Sequence, residues 1–350
     1  MIFRIIWVQV RSKFTFELKH TVLPYINGLA SKIAMTAIVR NVLVGLLLVA
    51  SSASYMLDTS CKGDPNETFI DNGVKDAVKL AQDAFNLLSA RPWNTPNNPN
   101  QVYSDLANWI FKEDGSTAHV DFNPQIPKHF DSRDSLSVAQ DIYGSITDMG
   151  PKVPEGGGGF EQVRFFCDLS RYGPSAAHPG KFFSLVDKIF KKKRTPEDVS
   201  PCEEEGSLFD RHRTMAYTTV PIQPEDQPVA EEKQVTIQIC PEYLIKSIKA
   251  ARQSSNKIFN AVKVNLAKWR STAMDTYALF DCTVLHEFTH TYAGAQRGDI
   301  DSAYGWKAAV ALSHDDSIKN ADNFVWFALG VRLIMNQNLR PQQDGGVTRP

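Results

Sequence analysis

A single pentapeptide, HEFTH at residues 286–290, constrains this chain more than any other feature of its sequence. Two histidines four residues apart on a helix lie on one face about 6 Å apart, so both imidazoles can reach one Zn²⁺ at roughly 2.0–2.1 Å. Glu287 projects beside the first histidine, where a carboxylate can take the proton of a metal-bound water. Residues 273–292 lack Pro and Gly and carry apolar side chains near helical spacing, which predicts the helix that this geometry needs.

A zinc site needs a third protein ligand, and the sequence narrows the choice. The chain contains no Glu after His290, which excludes the class of sites that use a downstream glutamate. The continuation HExxHxxGxxH is also absent, because Ala293 and Gln296 stand where its Gly and its third His would be. The nearby candidates that remain are Asp299, Asp301, His314, Asp315 and Asp316.

The residues after the second histidine resemble the signature of the aspzincins, the deuterolysin and lysyl-endopeptidase group of metalloendopeptidases. That signature continues HExxH with GTxDxxYG, and residues 298–305 read GDIDSAYG. A second likeness is NADNF at residues 320–324, where the family has NADNY. The motif resemblance covers residues 235–339 and is looser upstream. The retained signature positions are Gly298, Asp301, Tyr304 and Gly305, while Asp299 replaces the Thr.

The resemblance implies a role for each retained residue. His286, His290 and Asp301 would ligate one zinc ion per chain. Glu287 would act as general base and then as general acid to the leaving amine. Tyr304 would donate its phenol to the oxyanion of the tetrahedral intermediate, and a donor placed there stabilises charge that develops only in the transition state.

Substrate specificity is predicted from the NADNF segment. In lysine-specific members of the resembled family, an acidic pair in this segment holds the ammonium group of a substrate lysine. This chain keeps Asp322, but Val325 replaces the second acid. A half-exposed ion pair is worth only about 0–1 kcal/mol, and the added isopropyl group makes the pocket drier. We therefore expect Asp322 to bind substrate and cleavage to be broad, with at most a mild preference for Lys or Arg.

The expected fold is α+β and zincin-like, mainly helical, with a small mixed sheet and HExxH on the active-site helix. The strand at 235–239 is also a candidate for the sheet edge that would bind an extended peptide. Helices are predicted at 69–90, 103–111, 135–146, 182–190, 243–250, 255–269 and 321–335, and strands at 163–167, 215–220 and 235–239.

The N-terminal region is interpreted as a targeting segment. Residues 35–54 combine a charged stretch, an apolar stretch and small residues, as in a cleaved signal peptide. The apolar run is shorter than the ~20 residues of a transmembrane helix, although a signal anchor is the alternative. Residues 1–34 would then be a gene-model extension. The remaining expected divisions are the N-terminal part of the secreted domain at 55–234, a catalytic core at 235–338 and a disordered tail at 339–350.

Charge and cysteine content agree with a secreted protein. The net charge of −1 at pH 7 provides no electrostatic footprint for nucleic acid. The five cysteines predict two disulfides and one odd thiol. Cys282 lies one turn before the first histidine and about 12 Å along the helix from His290, so it is predicted to be a disulfide or core cysteine rather than a ligand.

These expectations combine into one function and one alternative. We expect a secreted, extracellular, monomeric zinc metalloendopeptidase that hydrolyses protein or peptide substrates through a zinc-bound water activated by Glu287. It would have no stable membrane association after signal removal. The alternative is a secreted metal-binding effector or binding protein without significant proteolysis. The carboxylate of Glu287 favours the enzyme, because a purely structural metal site does not need it.

Overall fold

The described part of the chain is mainly helical. The computed structural model describes residues 54–93, 100–118, 134–151, 161–169, 171–174, 182–184, 190–191, 202, 214–220, 233–253, 272–291 and 301–350. The helices in these ranges are α1 (Asn66–Ser89), α2 (Gln101–Phe111), α3 (Ser135–Thr147), α4 (Pro241–Gln253), α5 (Phe280–Thr289), α6 (Trp306–Val310), α7 (His314–Ser317) and α8 (Ala321–Gln337). Within these ranges, no helix has both the length and the apolar character that crossing a membrane requires.

A five-stranded mixed sheet accompanies the helices, which confirms the predicted α+β class. Neighbouring strands are parallel, except that the strand at 216–219 is antiparallel to the strand at 233–239. Tyr55, Val163, Phe165, Val235 and Ile237 are buried in the core cluster, so the sheet supplies apolar surface to the helices. The strand order is β2 (Gly150–Pro151), β1 (Ser54–Leu57), β3 (Glu161–Phe166), β8 (Lys233–Ile239) and β7 (Ala216–Thr219).

The strand predicted at 235–239 exists as β8, but it is not the sheet edge. It pairs with β3 on one side and with β7 on the other. Even the polar side chains of Thr236 and Gln238 are fully buried. A β-branched, alternating pattern predicts a strand, whereas tertiary packing decides its neighbours. Among the described strands of this sheet, β7 is the edge strand on that side.

The helix predicted at 182–190 is wrong where the structure describes that stretch. β5 (Phe182–Ser184) and β6 (Phe190–Lys191) are strands that form a small antiparallel sheet with β4 (Tyr172–Pro174). Cross-strand pairing satisfies the backbone there, and aromatic residues such as Phe182 and Phe183 favour strands.

Residues 339–350, expected to be a disordered tail, contain a hairpin of β9 (Arg340–Pro341) and β10 (Val347–Thr348). Gly345 has a φ of 85°, which a turn can use at no steric cost only with glycine. Its carbonyl accepts a hydrogen bond of 2.9 Å from the Met274 amide. The carbonyl of Gln343 accepts one of 3.1 Å from Trp306 Nε1. These contacts attach the tail to the segments around α5 and α6.

Five predicted helices appear as α1, α2, α3, α4 and α8 with shifted ends. The helix predicted across 273–292 is shorter, because a 3₁₀ turn at Met274–Thr276 and an extended Leu279 precede α5. Two other predicted segments lie outside the described residues: the helix at 255–269 and the N-terminal stretch 1–53.

Close packing fixes the position of α5. Gly73 of α1 faces the Phe280 ring so closely that a Cβ atom there would lie 2.3 Å from its Cδ1. At the other end of the helix, the Phe288 ring meets the edge of Phe165 of β3, with centroids 6.0 Å apart. The helix also contacts α8 and β7. Because close-packed interiors tolerate little displacement, these contacts define where the HEFTH side chains lie.

Two disulfides and one free thiol occur, as predicted from the cysteine count. Cys61–Cys167 joins the turn before α1 to the end of β3. Cys202–Cys240 joins the end of β8 to a residue 38 positions earlier. Cys282 is free and buried in α5, in agreement with a core rather than a ligand role.

Candidate metal centre

The last turn of α5 presents three of the predicted site residues. His286 and Glu287 lie within the helix, and His290 is its C-cap residue with φ −79° and ψ −11°, so the helical geometry continues through it. Leu285 and Phe288 are fully buried in the core. The imidazoles of His286 and His290 retain 12% and 18% exposure, so the site lies at the edge of the core.

Asp301 completes a triangle of donor atoms with the two histidines. Its Oδ1 lies 3.2 Å from His286 Nε2 and 3.3 Å from His290 Nε2, and the two Nε2 atoms are 3.2 Å apart. Among the described residues, these three side chains are the one group of His, Cys, Asp or Glu that could hold a metal ion. A tetrahedral zinc ion with bonds of 2.0–2.1 Å has ligand atoms about 3.3 Å apart, so the triangle fits one face of its tetrahedron.

Electrostatics at this triangle favour a cation. Burial raises the pKa of Asp301, but hydrogen bonds to both histidines outweigh it and bring that pKa well below its ordinary value. Burial lowers the pKa of His286, whereas Asp301 and Asp322 raise it well above its ordinary value. The site therefore favours positive charge beside an ionised carboxylate, and a metal ion can supply that charge in place of a proton.

The other candidates for the third ligand are not part of this triangle. Asp299 lies outside the described residues. His314 Nε2 lies 3.0 Å from Glu113 Oε1, and its Nδ1 lies 3.0 Å from Asp315 Oδ1. The Asp316 carboxylate accepts a hydrogen bond of 2.7 Å from Ser313 Oγ. These contacts attach α7 to the residues that follow α2, and among the described candidates Asp301 is the carboxylate that lies at the Nε2 atoms of both histidines.

Asp322 lies behind His286, and both of its oxygens accept hydrogen bonds. Oδ1 lies 2.8 Å from His286 Nδ1, and Oδ2 accepts from the Gly305 amide at 2.8 Å and from Trp326 Nε1 at 3.3 Å. The Asp322 carboxylate thus has three partners within the protein, and its expected contact with a substrate lysine stays a prediction. A carboxylate on Nδ1 fixes the ring orientation and leaves Nε2 free to ligate a metal.

Glu287 is buried, with 4% exposure. Its Oε2 accepts a hydrogen bond of 2.7 Å from Thr218 Oγ1 of β7. Burial raises the pKa of Glu287, while His286 and His290 oppose this effect. A carboxylate with a raised pKa is a better acceptor for the proton of a water molecule, as a general base requires.

Tyr304 packs against the imidazole ring of His286. Its ring stacks on His286 with centroids 5.9 Å apart and an interplanar angle of 19°, and 55% of the residue is exposed. Burial and the charge of Asp301 raise the pKa of Tyr304 far above its ordinary value. The phenol therefore keeps its proton at neutral pH and can donate a hydrogen bond.

Comparison with known proteins identifies the region that carries this geometry. Residues 250–335 match the deuterolysin metalloprotease (M35) family. This segment belongs to the deuterolysin family. All the residues of the donor triangle lie within it, together with Glu287 and Tyr304. The predicted resemblance is thereby confirmed, and a peptide-hydrolysing metalloenzyme is the class that the family implies.

Individual relatives match over short stretches. A neutral protease 2 homologue of Aspergillus clavatus is 47% identical over 51 residues, which are 15% of this chain and 15% of the relative. A homologue of Aspergillus fumigatus is 46% identical over 52 residues, 15% of this chain and 14% of the relative. Neutral protease 2 of Aspergillus oryzae is 43% identical over 51 residues, again 15% and 14%. The chain thus spans about a seventh of the length of these relatives.

The structure explains why the second glycine of the deuterolysin signature, Gly305, is a glycine. Gly305 has a φ of 85°, and a Cβ there would lie 3.2 Å from Asp275 Oδ1. The same carboxylate oxygen accepts a hydrogen bond of 2.8 Å from the Trp306 amide. A side chain at this position would displace Asp275 and strain the backbone between Tyr304 and α6.

Several supporting residues of the deuterolysin segment were not predicted. Asn320 forms hydrogen bonds with both the amide and the carbonyl of Ala303. Asn323 donates to the carbonyls of Ile110 and Ala309, so the NADNF segment connects the Asp301 loop to α2 and α6. Both asparagines belong to the NADNF motif, so the sequence contained a signal for them, but only the acid of this motif, Asp322, was assigned a role. Thr218 had no such signal, because it lies upstream of every recognised motif.

Proposed function

We propose that this chain is a zinc-dependent metalloendopeptidase. The observation that carries the proposal is the triangle of His286, His290 and Asp301, whose donor atoms lie 3.2–3.3 Å apart beside the buried carboxylate of Glu287. Membership of the surrounding segment in the deuterolysin metalloprotease family supports it. A structural metal site would need the triangle, but it would gain nothing from a buried carboxylate next to a ligand.

The roles of the side chains follow from their positions. His286, His290 and Asp301 would hold the ion. Zinc would supply Lewis acidity, which lowers the pKa of a water molecule and polarises a carbonyl group. Glu287 takes a proton from the attacking water and later gives it to the leaving amine. Tyr304 donates its phenolic hydrogen to the oxyanion as negative charge develops there.

The proposed substrate is an extended stretch of protein or peptide that adds to the edge of the sheet. Among the described strands, β7 is the outer one on this side, and Thr218 brings it into contact with Glu287. A peptide paired with β7 would therefore lie alongside the catalytic groups, with main-chain hydrogen bonds providing affinity. Since Asp322 is occupied by His286, this proposal retains broad cleavage rather than selection for lysine.

We place this activity outside the cell, on a monomeric chain. Support comes from the two disulfides, which persist in oxidising compartments and are rare in the cytosol. The apolar stretch before Ser54 is proposed as a signal peptide, with cleavage after Ala53 or Ser54. N-terminal sequencing of the secreted protein tests this assignment, and a mature end upstream of Met35 would contradict it.

Casein hydrolysis by the purified protein and by Glu287→Gln tests the enzymatic proposal. We expect the variant to lose about 10²- to 10⁴-fold in kcat while it retains one zinc ion per chain, because glutamine keeps the shape but cannot accept the proton. Zinc content is measured in the same samples. Equal inertness of both proteins with zinc bound would overturn the proposal in favour of a metal-binding protein without proteolysis.

A further inference from the structure

Thr218 is the hydroxyl donor to the proposed general base. Its Oγ1 lies 2.7 Å from Glu287 Oε2 and 3.1 Å from the carbonyl oxygen of the same residue. Among the described residues, no other side chain donates a hydrogen bond to this carboxylate. One hydroxyl group thus contacts both the side-chain carboxylate and the backbone carbonyl of Glu287. Because threonine is β-branched, few rotamers are open to it, and the direction of its hydroxyl is well defined.

The backbone of Thr218 faces away from the sheet. The Cys240 amide donates to the Met215 carbonyl at 2.9 Å, which identifies these two residues as a hydrogen-bonded pair. In an antiparallel ladder, bonded and non-bonded pairs alternate along the strands. The register pairs Thr218 with Ile237 three residues further along, so that pair is non-bonded. The N–H and C=O groups of Thr218 therefore point to the side of β7 that faces away from β8, where no described strand pairs with it.

These two observations place a substrate-facing backbone and a base-facing hydroxyl on one residue. We propose that Thr218 is a positioning residue that holds the Glu287 carboxylate and couples its orientation to peptide binding on β7. This inference rests on the proposed endopeptidase function. A peptide that pairs with Thr218 fixes the strand, and the fixed strand holds the hydroxyl against the carboxylate. Binding energy from residues remote from the scissile bond would thereby contribute to kcat.

The first test separates the hydroxyl from the shape of the side chain. Thr218→Val has nearly the same shape without the hydroxyl, and Thr218→Ser keeps the hydroxyl. Thr219→Val is the matched control, since successive side chains of a strand point to opposite faces. With zinc saturating and a fluorogenic peptide as substrate, we expect Thr218→Val to lose about 10- to 100-fold in kcat with KM changed less than about twofold. Thr218→Ser and Thr219→Val should stay within about threefold of the parent kcat.

A second readout does not depend on activity. Crystal structures of the metal-free variants should show the Glu287 carboxylate in its original place in Thr218→Ser and displaced or in several rotamers in Thr218→Val. An unchanged, single Glu287 rotamer in Thr218→Val would overturn the proposal. So would a kcat for Thr218→Val equal to that of Thr219→Val, or a loss in Thr218→Val that serine does not avoid.

The coupling has its own test in a series of peptides lengthened on either side of the scissile bond. In the parent protein, longer peptides should raise kcat as well as lower KM, and Thr218→Val should lose the gain in kcat. A gain confined to KM in the parent would contradict the coupling. An inactive parent protein with zinc bound would instead overturn the proposed function, so the two failures are distinguishable.

Discussion

The segment from His286 to Asp322 and the sheet upstream of it contribute differently to the same site. The downstream segment provides the donor atoms and the carboxylate behind His286 over a short stretch of chain. The described strands of the upstream sheet provide no metal ligand, but β7 provides Thr218, which lies 69 residues before Glu287. Ligands that are close in sequence form recognisable motifs, whereas a contact between remote elements leaves no pattern. We therefore expect changes in the two regions to affect different measured quantities.

The largest expected effect is the loss of the carboxylate ligand. Asp301→Ala should remove bound zinc at a cost of several kcal/mol, because a histidine pair alone leaves the ion with too few protein ligands. Metal analysis of the purified variants measures this directly. Asp299→Ala is the control and should retain zinc. The reverse result would move the third ligand to Asp299 and would invalidate the assignment made from the motif register.

Removal of the disulfide in the upstream region should instead lower stability and leave zinc binding unchanged. Replacing Cys61 and Cys167 by Ala opens a bridge between residues 106 positions apart and should lower the free energy of unfolding by about 2–5 kcal/mol. Zinc affinity of the folded variant should be unchanged, because neither cysteine contacts the donor triangle. Denaturant unfolding and zinc titration measure the two quantities separately.

Cys282→Ala is the control for the loss of a thiol in the same experiment. This buried cysteine forms no disulfide, and burial raises its pKa to about 12, so it is an inert core residue. A loss of zinc affinity in the Cys61/Cys167 variant as large as that in Asp301→Ala would show that the two regions are not separable.

The sequence predicted that His286, His290 and Asp301 lie together with Glu287 beside them, because spacing on one helix and one short motif contain that information. It singled out Asp322 as a substrate-binding residue but did not predict its contact with His286, because that contact depends on how α8 packs against α5. Strand β8 was found from its alternation, yet its place between β3 and β7 depends on pairing with remote strands. The pattern around Phe182 and Phe190 suits an amphipathic helix as well as it suits strands, and only pairing between the two segments decides for strands.

A smaller effect is expected from the residue behind His286. Asp322→Asn keeps the shape but removes the charge that orients the imidazole, and should weaken zinc binding by about 10- to 100-fold. Asp315→Asn is the matched control, because that carboxylate is 86% exposed and lies outside the triangle. If Asp322 instead held substrate lysine, zinc affinity would be unchanged and only cleavage before lysine would fall. A peptide-library digest read by mass spectrometry distinguishes these outcomes.

The smallest expected effect is a pH-dependent contribution from His314, at a distance from the chemistry. Hydrogen bonds to Asp315 and Glu113 raise the pKa of His314, and its Nε2 also lies 2.9 Å from Ser135 Oγ. A group whose pKa is raised by folding stabilises the folded state fully below its unfolded pKa of about 6.5, and this contribution is lost as the pH rises through the folded value.

The imidazole of His314 is 48% exposed, so solvent screening should keep its contribution below about 1 kcal/mol. His314→Gln should therefore lower the free energy of unfolding slightly at pH 5.5 and much less at pH 8.5, as measured by urea unfolding. Glu113→Gln should produce the same pH dependence, since it removes one of the two carboxylates that face the ring. A larger loss at high pH than at low pH would show that neutral His314 is the form that the fold prefers, and that the contacts around α7 act through shape rather than charge.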